Sequence, residues 1–71
     1  MKKETAKQVV SILLESSSKL EESLRLVASE GNADDTAYYR KIVAIIMGEM
    51  FVELMRPIFK EHPDLKPPGL K

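Results

Sequence analysis

Glu49 and Glu53 stand four residues apart in the run "AIIMGEMFVELMRP", Ala44 to Pro57. That spacing places two carboxylates on one face of a helix. Such a pair can ligate a divalent cation when a second helix adds more carboxylates or histidines. The upstream half of the chain offers no Glu-x-x-His, and the single histidine, His62, lies downstream, before Pro63. The simpler reading is a polar strip in which Glu53 meets Arg56 one turn on. No metal ligand and no cofactor is assigned; a carboxylate metal site at Glu49 and Glu53 is kept only as a second alternative.

His62 has the chemistry of a general base, but no nucleophile stands at a defined spacing from it. Gly31, Gly48 and Gly69 are isolated, so there is no glycine-rich phosphate loop, and no serine sits in a nucleophile-elbow pattern. The expectation is a protein that is not an enzyme and has no catalytic residues.

The elements that carry these residues follow from composition and periodicity. At 71 residues there is room for one small domain, residues 1–71. Eleven basic residues balance eleven acidic ones. That lacks the positive field of a dedicated nucleic-acid binder. The absence of cysteine excludes a disulfide framework and thiolate metal sites. The N-terminal lysines are followed by an apolar stretch that Glu15 interrupts, which reads as an amphipathic helix rather than a targeting segment. The second apolar run is broken by Glu49, Glu53 and Arg56, short of the roughly 20 apolar residues that span a bilayer. A soluble, cytoplasmic protein with no membrane association is expected.

Ala6, Val10, Leu13, Ser17, Leu20, Leu24 and Val27 recur at spacings of three and four. They predict one helix over about 5–29, opened by a Thr5–Gln8 capping box and closed by Gly31 in the left-handed conformation. Glu15 with Lys19 and Glu21 with Arg25 are expected as pairs across one turn. Asn32, Asp34 and Asp35 suit the start of a second helix over about 34–60. Pro57 should kink or end it. Residues 61–71 hold three prolines and read as an extended tail.

Two rods of similar length on a short link make an antiparallel αα-hairpin, so the fold class is all-α. Counting outward from Asn32 sets Leu20 opposite Ala44, Leu13 opposite Phe51 and Val10 near Leu54. Ser16–Ser18 then face Gly48, which predicts a close helix crossing at Ser17, Ala44 and Gly48.

Helix 2 is apolar on two sides. One carries Tyr39, Val43, Ile46, Met50 and Leu54; the other carries Ala37, Ala44, Gly48, Phe51 and Met55. Helix 1 can cover only one. The other marks an interaction site, expected to be a homodimer interface of Tyr39, Val43, Ile46, Met47, Met50 and Leu54 in a dimeric four-helix bundle. The open end gathers Lys2, Lys3, Lys7, Arg56, Lys60, Lys66 and Lys71, and the tip has Glu30, Asp34 and Asp35. Hairpins paired antiparallel would bring basic ends near acidic tips. In the tail, Leu65 is expected to fold back over Phe59 or Ile58. The alternative is that His62, Leu65, Lys66 and Leu70 dock on a partner.

Tyr39, Arg40, Met47, Gly48, Pro57, His62, Pro63, Leu65, Lys66 and Pro67 make the second half resemble small bacterial helical-hairpin proteins of unknown function, with a Met-Gly step, a proline and an H-P-x-L-K-P ending. The resemblance covers about half of the chain and implies a bacterial hairpin without implying an activity. In layout alone the hairpin is similar to RNA-binding plasmid-control hairpin dimers and to small secretion co-chaperones, and layout does not decide function. The expected role is a non-enzymatic protein–protein interaction module that pairs with itself and possesses a surface for another protein. A nucleic-acid-binding bundle using the basic open end is the first alternative, and nucleic acid is the less favoured partner.

Overall fold

The computed structural model describes residues 1–66, and these form an all-helical hairpin. Helix α1 runs Lys3–Glu30 and α2 runs Ala33–Glu49. The second rod continues through a π-helical segment, Met50–Met55, into a last α-helical stretch, α3, Arg56–Glu61. A 3₁₀ turn, Pro63–Leu65, follows. The helix bounds expected from the sequence hold to within two residues.

The two helix starts are held by different means. Asn32 caps α2, its side chain accepting from the Asp35 backbone N–H at 2.8 Å. Asp34 and Asp35 add negative charge at the positive end of that helix. The expected Thr5–Gln8 capping box does not form. Helix α1 begins two residues earlier, and Lys2 at its N-cap makes no side-chain bond. Ala6, one turn in, is fully buried, so tertiary packing extends the helix past the local signal.

Gly31 is not left-handed, as expected, but extended at φ −92° and ψ 174°. Its glycine answers a need for space: a Cβ would lie 2.8 Å from the Val27 carbonyl oxygen, which accepts the Gly31 N–H.

Pro57 neither ends the rod nor stands alone as a kink. It lacks an N–H and its ring crowds the carbonyl four residues back. The turn just before it widens, and the Arg56 N–H reaches back five residues to the Phe51 carbonyl. That wider turn makes room for the proline and lets the helix run on to Glu61. His62 leaves the helix at φ −130° and ψ 76°.

The core sits at the open end of the hairpin. Ala6, Val10, Met55, Ile58 and Phe59 are buried together, with Val9, Leu13, Met50, Phe51 and Leu65 packed around them. The Phe51 and Phe59 rings meet tilted, with centroids 6.4 Å apart. Nearer the tip the seam is thinner. Val43 is the one buried residue of α2, and the Tyr39 hydroxyl is 2.8 Å from that of Ser23.

The open end is also clasped by polar groups. The Met1 amine lies 3.1 Å from Glu61 Oε1, and Lys3 pairs with Asp64. His62 Nε2 is 3.0 Å from the Met1 carbonyl. A carbonyl only accepts, so in that bond Nε2 carries the proton.

Candidate interaction surface

Helix α2 and its continuation present different faces to α1 and to the outside. Val43 is buried against α1, and Tyr39 and Met50 are half-buried on the same side. Ser17 donates to the Met50 sulfur at 3.4 Å. These contacts correct the expected interface: Tyr39, Val43 and Met50 are engaged inside the hairpin. Met47 is half-buried in a groove with Leu24, Arg25 and Arg40. Ile46 and Leu54 alone of the six stay open, at 42% and 52% exposure. They share a shallow surface with Glu49 and Glu53.

The expected close crossing is also absent from the hairpin seam. Gly48 and Ala44 are both exposed, and a Cβ on Gly48 would meet nothing within 4 Å. Ser17 faces Met50 instead of Gly48. The mid-height spacing is set by a methionine against a serine.

The outward face of the second rod is apolar. Tyr38 is 69% exposed, Ile45 49% and Val52 47%. With the exposed Asp34, Lys41 and Gly48 they recur at alternating spacings of four and three from 34 to 52, a continuous helical stripe. This stripe was not expected, because the sequence pattern placed Gly48 against α1. The signal that locates it is the Tyr38–Ile45–Val52 spacing of seven. A glycine inside a helix lowers its stability by roughly 0.5–1 kcal/mol relative to alanine. Among the described residues nothing offsets that cost at Gly48: no side chain needs the space, and the nearby Glu49 and Met50 backbones are ordinary helix.

Two of the four tail candidates, His62 and Leu65, are engaged within the chain. Leu65 packs on the core cluster as expected, and the His62 side chain is only 18% exposed. Pro63–Leu65 is a 3₁₀ turn rather than part of the extended tail expected over 61–71. Lys66 borders an open groove with Phe51, Arg56, Phe59, Lys60 and Pro63. Leu70 lies outside the described residues.

Neighbouring cations lower both carboxylates of the clasp. A hydrogen bond from the N-terminal amine, and then its charge, hold Glu61 below its ordinary value. The Lys3 hydrogen bond does the same for Asp64. With these acids engaged, no ion pair among the described residues involves Arg56, Lys60 or Lys66. The pairs expected at Glu15–Lys19 and Glu21–Arg25 are replaced by Lys19–Glu22 at 3.5 Å.

Among the described residues, no three His, Asp or Glu side chains gather as a metal site would require. No described helix is long and apolar enough to cross a membrane.

No protein-family model, curated protein or solved structure matches the chain.

Proposed function

We propose that the protein is a non-enzymatic interaction module, bacterial and cytoplasmic, that forms a homodimer through the open face of its second rod. The observation that carries this reading is the stripe of Tyr38, Ile45 and Val52 exposed on the outward face of that rod, with Ile46 and Leu54 exposed on a second strip beside Glu49 and Glu53. Large apolar side chains left exposed along one helical face mark an interaction site. Two such hairpins make a four-helix bundle.

The basic groove at the open end supports nucleic-acid binding less well. It offers three cations, and Phe59 is buried, so its ring is not a platform on which a base can stack.

Sedimentation equilibrium at micromolar concentration tests the proposal. A reversible dimer is expected; a folded monomer up to 100 times that concentration would overturn it.

A further inference from the structure

Building on the self-association proposed above, we infer that the partner copy crosses the second rod at Gly48, antiparallel, with the two-fold axis passing beside that glycine. The occupant of the open face is thus a second copy of this chain in one defined arrangement.

Three observations converge on it. First, Gly48 lies on the exposed stripe Asp34, Tyr38, Lys41, Ile45, Gly48 and Val52, between its two aliphatic residues Ile45 and Val52. Second, the space over Gly48 is open, and its backbone is ordinary helix, so neither packing within the chain nor a special conformation calls for glycine. A glycine on an apolar helical face lets another backbone approach more closely than side chains permit. Third, two opposite charges stand at nearly equal distances on either side of that point. Asp34 stands fourteen positions before Gly48 and Lys60 twelve after it. A two-fold axis at Gly48 therefore sets the Asp34 turn of each copy over the Lys60 turn of the other, Ile45 of one copy lying beside Val52 of the other. A parallel pairing would stack aspartate on aspartate and lysine on lysine. Two acids of the basic end are already engaged, Glu61 by the Met1 amine and Asp64 by Lys3. A shallow crossing of about 20° keeps the ends of the two rods within reach.

Sedimentation equilibrium on the full chain tests this, with circular dichroism to follow folding. Gly48→Leu should raise the dimer dissociation constant at least a hundredfold. Gly48→Ala should raise it about tenfold. Both should retain or raise helicity and melting temperature under dilute, monomeric conditions, because each residue favours helix more than glycine does. Asp34→Lys and Lys60→Glu should each weaken the dimer severalfold, and the double exchange should restore it. A wild-type dimer unmoved by Gly48→Leu would overturn the crossing while leaving self-association intact. Single charge exchanges without effect would overturn the antiparallel arrangement. A wild-type monomer at every concentration would overturn both readings.

Discussion

At the scale of single residues, the most informative groups are those that close the open end. Glu61 and Asp64 are exposed carboxylates, and each takes a hydrogen bond from a cation contributed by the first three residues. Their protonation is disfavoured in the fold relative to the unfolded chain. Their contribution is therefore present above the ordinary carboxylate range and is lost as pH falls through their lowered values. Carboxyl NMR titration should show both protonating below that range. Lys3→Ala should return Asp64 toward its ordinary value and leave Glu61 low. An unchanged Asp64 would mean that Lys3 is not its partner in solution. Neither pair was legible beforehand. Residues 1 and 61, or 3 and 64, are joined only when the hairpin closes, and no local spacing encodes that. Local chemistry did point to Asn32 as a cap, because its oxygen and the Asp35 N–H belong to neighbouring residues.

At the scale of elements, the two helix starts invite a direct comparison. Asn32 satisfies a backbone donor that the helix itself cannot. Thr5, the expected cap, lies within α1. Asn32→Ala should lower stability by about 1 kcal/mol. Thr5→Ala should change it by less than about 0.5 kcal/mol, as an exposed helical position does. Urea unfolding at a fixed protein concentration distinguishes the two, and equal losses would contradict this assignment of the caps. The bounds of both rods were readable because apolar spacing and cap residues report on a few neighbouring turns. The π-helical segment before Pro57 was not. The proline announces a disturbance, but whether the helix kinks, stops or widens depends on what the next turn gains by continuing. Here Ile58 and Phe59 gain burial against Ala6 and Val10, and the helix goes on.

Across the whole molecule the packing is uneven. The hydrophobic cluster and the clasped termini lie at the open end, while the tip relies on Val43, the Ser23–Tyr39 hydrogen bond and the Asn32 cap. Local stability follows buried apolar contact. Amides of residues 9–13 and 55–59 should therefore exchange more slowly than those of 24–28 and 36–40. Hydrogen exchange measures this directly, and uniform protection along α1 would contradict it. The sequence by itself determined two amphipathic rods, their lengths, the short link and the hairpin they must form, because each of these is written in local spacing. It also marked the second rod as too apolar for one neighbour. Only the tertiary structure decided which side of that rod is covered. Tyr38 and Tyr39 are neighbours of one residue type, and local spacing does not say which of them turns inward. Packing of the two rods turned Tyr39, Val43 and Met50 inward. It left Tyr38, Ile45, Gly48 and Val52 facing out.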